Sequence, residues 1–254
     1  MNTQTKYDVV IIGAGPGGYP AAIRSAQLGK KVAIVERDKP GGICLNWGCI
    51  PTKALLKSAE IYEYMKKGGA YGLKADNVSF NLADVVKRSR GISKRIVTGV
   101  EYLFKKYKID IIKGEGKLSS PTQVTVRGAD GESKIEAGKI ILATDARPRD
   151  IPGMERDGER IISSKEAMLL DTLPENLVVI GAGAIGMEFA YYYGTLGSKV
   201  TVLEAMDRVL PVEDDEISNV VRKSFTRKGI TLETGAKVSS VQRQGEKVKV
   251  EYEA

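Results

Sequence analysis

The 254-residue sequence has no histidine, two cysteines, one tryptophan and only 6% aromatic residues. Each shortage excludes something. Without imidazole there is no Ser-His or Cys-His nucleophile and no histidine-bound metal. Two thiols cannot complete a zinc site without carboxylate partners, so no metal centre is expected. The longest apolar runs, such as Val9–Ile12 and Ile140–Ala143, fall far short of the ~20 residues that cross a bilayer, so no membrane role is expected. Low-complexity tracts are missing too. With 42% hydrophobic and 28% charged residues the composition is that of a globular chain, long enough for one large domain or two ordinary ones. The lead-in Met1–Lys6 has neither an apolar core nor an Arg/Ser-rich helix, which reads as cytoplasmic. Disulfides there are seldom structural, so a bond between Cys44 and Cys49 would be a chemical one. The net charge of +7 is spread along the chain, and its densest cluster (Lys105, Lys106, Lys108) has no interleaved stacking aromatics. That pattern fits a solvated basic surface, with no nucleic-acid partner.

What is present is a repeat. Val9-Val10-Ile11-Ile12-Gly13-Ala14-Gly15-Pro16-Gly17-Gly18 returns 168 residues later as Leu177-Val178-Val179-Ile180-Gly181-Ala182-Gly183-Ala184-Ile185-Gly186. The correspondence continues, with Gly29 matching Gly197, Val32 matching Val200 and Glu36 matching Glu204. Each copy reads as strand, glycine turn, helix, strand and acid. The first glycine makes a tight turn, the second lets a pyrophosphate approach the backbone, and the third allows helix to pack on strand. The helix N-terminus then faces the phosphates, and the acid can accept hydrogen bonds from an adenosine ribose. Two such frames predict two dinucleotide sites. At the second, Glu204 is followed by Ala205 and Met206, which suits NAD; Arg208 is the one nearby cation that could favour a 2′-phosphate.

Between the repeats runs Gly41-Gly42-Ile43-Cys44-Leu45-Asn46-Trp47-Gly48-Cys49-Ile50-Pro51-Thr52-Lys53. Pro51 suits the first turn of a helix, and Leu55, Ala59, Tyr62 and Met65 then follow at helical spacing as a core stripe. Cys49 is therefore expected just before a helix N-terminus, a position that favours a thiolate, with Lys53 one turn on. Buried structural thiols are the bland alternative; a redox pair fits the setting better.

The stretch Cys44-Leu45-Asn46-Trp47-Gly48-Cys49-Ile50-Pro51-Thr52-Lys53 resembles the active-site signature of the flavin-dependent pyridine nucleotide-disulfide oxidoreductases. Its Cys-Leu-Asn and Ile-Pro-Thr-Lys details most resemble the dihydrolipoamide-oxidising members, the E3 components of 2-oxo-acid dehydrogenase complexes. The likeness also takes in the Gly114-Glu115-Gly116 turn, the hairpin at Gly128-Ala129-Asp130-Gly131 and the strand end Ala143-Thr144. It implies an α/β chain of two Rossmann-like three-layer domains, one for FAD and one for NAD. A C-terminal return to the FAD domain and a dimerisation domain would be absent. By the resemblance, Cys44 and Cys49 are the catalytic pair. Gly13, Gly15, Pro16, Gly17, Glu36 and Arg37 would hold FAD, with Gly42, Lys53, Gly116, Thr144 and Asp145 completing that site. Gly181, Gly183, Ala184, Ile185, Glu204 and Val238 would line the NAD site, and Glu188 would pair with Lys53 beside the nicotinamide. The implied partners are a lipoyl domain and the E2 core of such a complex, and the complete enzyme would be a homodimer.

The breaker-rich stretch Arg147-Pro148-Arg149-Asp150-Ile151-Pro152-Gly153 suggests a linker, giving a FAD-binding domain over 1–146 and an incomplete NAD-binding domain over 147–254. Both should be open parallel sheets with an antiparallel insertion or edge. Ser163 or Ser164 should cap the short segment Lys165–Leu170. Two departures from the family stand out. The His-Glu acid–base pair of these enzymes has no counterpart in a chain without histidine, so turnover of dihydrolipoamide is expected to be weak or absent. Asp145 stands where Gly commonly follows Ala-Thr, and its charge could weaken flavin binding. Glutathione- or mercury-reducing relatives, and a non-catalytic nucleotide-binding module, are the competing functions.

Overall fold

Residues 6–144 and 146–253 are described by the computed structural model, so the expectation for Asp145 lies outside the described residues. The elements in chain order are β1 (Lys6–Ile12), α1 (Gly18–Gln27), β2 (Val32–Glu36), α2 (Gly42–Trp47), α3 (Cys49–Lys66), a 3-10 turn (Gly68–Tyr71), α4 (Leu82–Lys106), β3 (Asp110–Lys113), β4 (Glu115–Ser120), β5 (Gln123–Gly128) and β6 (Gly131–Leu142). After them come α5 (Ser164–Ala167), β7 (Asn176–Ile180), α6 (Ala184–Leu196), β8 (Lys199–Glu204), α7 (Asp215–Arg227), β9 (Thr231–Thr234), β10 (Lys237–Gln244) and β11 (Lys247–Glu253). They form two compact units, Met1–Pro51 with Arg90–Arg147, and Thr52–Ser89 with Pro148–Ala254. The chain passes between them at Pro51–Thr52 inside α3, at Ser89–Arg90 inside α4 and at Arg147–Pro148.

In the first unit one sheet runs β3-β2-β1-β6-β5-β4. Its β3, β2, β1 and β6 are parallel, while β5 and β4 are antiparallel. Strand β6 serves both halves: Gly131–Glu136 pairs with β5, and Glu136–Leu142 pairs with β1. The uninterrupted apolar runs of β1 and β2 follow from burial on both faces. Val10, Ile12, Ala33 and Val35 pack with Val124, Val126 and Ile135 of the antiparallel ribbon. Ile11, Val32 and Ile34 pack on the other side with Ala22, Leu45, Val100 and Phe104 from α1, α2 and α4. Helices, parallel strands and ribbon thus make three layers. Tyr7 ties the sheet edgewise, its hydroxyl donating to Asp110 Oδ2 at 2.9 Å. Burial and that carboxylate push its pKa up to about 12.

The second unit repeats the frame with three parallel strands, β7-β8-β9, and an antiparallel hairpin, β10-β11. Its core is helix α6, whose Met187, Phe189, Ala190, Tyr192, Tyr193 and Leu196 are buried. Ser163 caps α5 as expected: its Oγ accepts from Lys165 N at 3.2 Å, and Glu166 accepts back from Ser163 N at 2.9 Å. The helix ends at Ala167, earlier than the segment Lys165–Leu170 suggested. The core stripe on α3 holds for Leu55 and Ala59 but not for Met65, which is 45% exposed. Helical periodicity marks a face without saying where along it the neighbouring element stops.

Candidate functional site

The two glycine turns superpose in their bonding as well as their spelling. Gly13 N donates to Val35 O and Gly181 N to Leu203 O, both at 2.8 Å, which fastens each turn to the neighbouring strand. Both first glycines sit at positive φ, +101° for Gly13 and +98° for Gly181, where a side chain is strained. A Cβ on Gly18 would lie 1.8 Å from Gly13 O, and one on Gly186 would lie 2.0 Å from Gly181 O. The third glycine is therefore demanded by the first. The second glycine of the second copy is different: nothing lies within 4 Å of where a Cβ on Gly183 would stand. Its side is open, as a close-approaching pyrophosphate would need.

The acids do more than the sequence suggested. Glu36 Oε2 accepts from Ala14 N and its Oε1 from Asp38 N, each at 2.8 Å. Glu204 does the same, Oε2 accepting from Ala182 N at 2.6 Å and Oε1 from Met206 N at 2.9 Å. Each carboxylate is a brace from the end of the second strand to the middle of the glycine turn. Lone pairs remain on each for a ribose hydroxyl. The signal was in the sequence, in the equal spacing of glycine and acid in both copies, but it was read only as ligand contact.

The two frames also differ. In the first, helix α1 begins at Gly18, with Gly17 at its cap; in the second, α6 begins two positions earlier in the frame, at Ala184. The caps differ accordingly: Gly17 keeps a helical backbone (φ −79°, ψ −35°), whereas Gly183 is extended (φ −70°, ψ 176°). Thr144 is exposed beyond β6 and lies against the first turn, its Cα 3.1 Å from where a Gly13 Cβ would sit. Arg37 is exposed. Gly116 is crowded by protein: a Cβ there would lie 3.0 Å from Ile12 and 3.1 Å from Val35, so packing alone accounts for that glycine. In the second unit Ala184 and Ile185 are exposed in the first turn of α6, and Val238 pairs with Tyr252 in the hairpin. Arg208, the cation that could have favoured a 2′-phosphate, is bonded to Asp215 and donates to Pro211 O at 3.3 Å.

The cysteine segment folds as two helices where one was expected. Cys44 is half-buried within α2, and Gly48 breaks the chain at φ −147°, ψ −114°. Cys49 is then the exposed first residue of α3, rather than the residue before it, and Pro51 does fall in the first turn. Gly42, at φ +58°, opens α2. A Cβ on Gly48 would come within 3.1 Å of Ile43 O and 3.3 Å of Cys44 Cα, so the turn between the cysteines folds back on Cys44. Asn46, buried, stitches it down by donating from Nδ2 to Pro40 O at 3.0 Å and Gly42 O at 2.9 Å. Arg90 closes over the turn, a contact the sequence did not suggest, because its partners lie more than forty positions away.

In the second unit Lys53 Nζ donates to Glu188 Oε1 at 2.6 Å, the pairing that the resemblance implied. A second cluster lies further along α3. Glu63 accepts from Lys67 at 2.7 Å, from Tyr191 Oη at 3.1 Å and from Lys228. Burial alone would raise its carboxyl, but the hydrogen bonds from Lys228 and Lys67 outweigh that and bring it down to about 2. Among the described residues no group of three or more Cys, Asp or Glu is placed to hold a metal ion, and no helix is long and apolar enough to cross a membrane. An open depression of about 750 Å³ near Asp150 and Asp157 is acidic, and the Asp157 Oδ1 oxygen is taken by three backbone amides at 2.8 Å.

Comparison with known proteins agrees with this geometry. The family described as pyridine nucleotide-disulphide oxidoreductase matches residues 7–254. A dihydrolipoyl dehydrogenase of Chlorobaculum parvum is 47% identical over 241 residues, 94% of this chain and 51% of its own length. LpdA from Mycobacterium tuberculosis superposes with a TM-score of 0.89 at 31% identity, covering 98% of this chain and 55% of that one. The HOCl-induced flavoprotein disulfide reductase RclA from Escherichia coli gives 0.82 at 28% identity, over 97% and 53%. The chain spans about half the length of the curated relatives it matches. It belongs to the pyridine nucleotide-disulphide oxidoreductase family.

Proposed function

We propose that this chain is the cysteine- and nucleotide-bearing part of a dihydrolipoamide dehydrogenase, an NAD-linked FAD enzyme serving a cytoplasmic 2-oxo-acid dehydrogenase complex. The observation that carries the reading is the fold of the cysteine segment, with Cys44 and Cys49 on either side of the Gly48 break in the same unit as a glycine turn braced by Glu36. The first unit would take FAD at Gly13, Gly15, Pro16, Gly17, Glu36 and Thr144, and the second NAD at Gly181, Gly183, Ala184, Ile185 and Glu204. The braced turns and the open side of Gly183 fit dinucleotides. Glu204, with Arg208 engaged elsewhere, supports NAD over a 2′-phosphorylated cofactor. Glu188, holding Lys53, would border the nicotinamide.

The thiol chemistry follows from exchange rules. As the resemblance implies, and although Cys49 and not Cys44 is the more exposed of the two, a dihydrolipoyl thiolate attacks Cys44 Sγ of the disulfide; the S–S bond breaks, a mixed disulfide forms and Cys49 leaves as a thiolate. The second lipoyl thiolate then attacks the lipoyl sulfur of the mixed disulfide, closing lipoamide and releasing Cys44. Two electrons are now held by the cysteine pair. FAD, when bound, supplies the route from that pair to NAD⁺. Of the 254 residues none is histidine, so protons leave to solvent or to a group supplied elsewhere in a complete enzyme. The lipoyl domain, the E2 core and a homodimer partner belong to that enzyme. The test is anaerobic single-turnover exchange with the oxidised chain. Dihydrolipoamide should reduce the pair at least tenfold faster than glutathione, and NAD⁺ should bind more tightly than NADP⁺. Equal rates with glutathione, or preference for NADP⁺, would move the chain to the glutathione- or mercury-reducing branch.

A further inference from the structure

Trp47, the only tryptophan in the chain, closes α2 between the two cysteines. The Arg90 guanidinium, carried on α4, lies 4.2 Å from the centre of its ring. The same guanidinium donates from Nη1 to Asn46 O at 2.5 Å. One planar group thus covers the indole and satisfies a carbonyl at the C-terminal end of a six-residue helix, where carbonyls lack helical partners and cations are favoured. The Asn46 side chain holds the other side of the turn through Pro40 O and Gly42 O. Gly48, next in sequence, faces Cys44 so closely that a Cβ there would lie 3.3 Å from Cys44 Cα. Residues 46–48 are therefore gripped from both sides, and they are three of the four residues that separate Cys44 from Cys49.

We propose that Arg90 is a positioning residue for the cysteine pair: by stacking on Trp47 and donating to Asn46 O it holds the turn between Cys44 and Cys49 in the form from which their disulfide closes. The inference rests on the reading of these cysteines as a redox pair. A clamp of this kind raises the effective concentration of one thiol at the other, so loosening it weakens the disulfide. Lysine keeps the charge but not the planar, stackable fork, and is not an equivalent replacement.

The test is equilibration of the purified chain with glutathione, in which two cysteine thiols and one glutathione disulfide become the Cys44–Cys49 disulfide and two glutathiones. Parent, Arg90→Leu, Arg90→Lys, Trp47→Phe and Trp47→Leu are compared, with thermal midpoints and Trp47 emission where the indole remains. Arg90→Leu should lower the closure constant about tenfold, a rise in potential of ~30 mV for this two-electron couple. Trp47→Phe should stay near the parent, Trp47→Leu should shift part of the way, and Arg90→Lys should recover little. If Arg90→Leu does not fold, the Trp47 pair decides. Unchanged closure constants in Arg90→Leu or Trp47→Leu would overturn the inference. So would full recovery by lysine, which would assign the effect to charge alone. A parent chain that forms no disulfide at any glutathione ratio is a separate result, and it would overturn the redox reading beneath the inference.

Discussion

Two glycines of one turn, three positions apart, should respond oppositely to the same methyl group. In Gly186→Ala the new Cβ would stand 2.0 Å from Gly181 O. Real Cβ–oxygen contacts need roughly another 1 Å, and both partners are backbone, so α6 must move off β7 or the turn must deform. Overpacking of that kind costs about 1–3 kcal/mol. In Gly183→Ala the Cβ meets nothing within 4 Å, and the backbone there (φ −70°, ψ 176°) suits any residue. Folding stability should change by no more than about 1 kcal/mol, and in the favourable direction, because alanine has less conformational freedom to lose. If the second glycine is where a pyrophosphate approaches, the methyl occupies that approach, and NAD⁺ affinity should fall at least tenfold. Urea denaturation gives the first quantity and calorimetric titration with NAD⁺ the second. Gly183→Ala binding NAD⁺ as well as the parent would refute the placement of the nucleotide. A Gly186→Ala chain as stable as the parent would refute the steric argument.

Glu204→Ala leaves the amides of Ala182 and Met206 without their acceptor, and Ala182 is fully buried, so a loss of about 1–3 kcal/mol is expected by chemical denaturation, with Glu204→Gln losing less; equal stability of the alanine variant would show that the brace does nothing. Glu63, one-fifth exposed, has its carboxyl lowered to about 2, so its contribution is present above its ordinary pKa and disappears as pH falls through about 2. Glu63→Gln should therefore destabilise by about 1–2 kcal/mol at neutral pH, with the difference from the parent closing between about pH 4.5 and 2; a difference independent of pH over that window would contradict it. With the one remaining cysteine first converted to its mixed disulfide with glutathione, dihydrolipoamide should displace glutathione from Cys49→Ser (Cys44 loaded) at least tenfold faster than from Cys44→Ser (Cys49 loaded), followed by mass spectrometry; equal rates would undo the assignment of Cys44 as the attacked sulfur.

The parts of the fold legible in the sequence are those encoded by local spacing. The duplicated strand–turn–helix–strand frame, the Gly128–Gly131 hairpin and the Ser163 cap each depend on residues within a few positions of one another, and each is present. The Lys53–Glu188 pair came through resemblance, since nothing local joins residues 135 positions apart. What escaped was decided at a distance or by competition. Helix α2 carries little signal of its own, since it is short and opens on two glycines that disfavour a helix, although Gly41 caps it and Leu45 fills the space its side chain would take. Met65 fell on the right helical face but beyond the end of its cover. The Arg90–Trp47 stack had no local signal, because α3 and the first two turns of α4 lie between the two. Glu36 and Glu204 were assigned a ligand role and not a structural one, and the second role appears only when the turn amides are placed.

The proposed function requires that one chain join a redox-active cysteine pair to a flavin site. It is tested by reconstituting the purified chain with FAD, removing excess, and recording the visible spectrum before and after anaerobic addition of a dithiol. Flavin absorbance should be retained and, after the dithiol, a new long-wavelength band should appear that is lost in Cys49→Ser. Retained flavin whose spectrum ignores the dithiol, or a colourless chain after exposure to FAD, would contradict it.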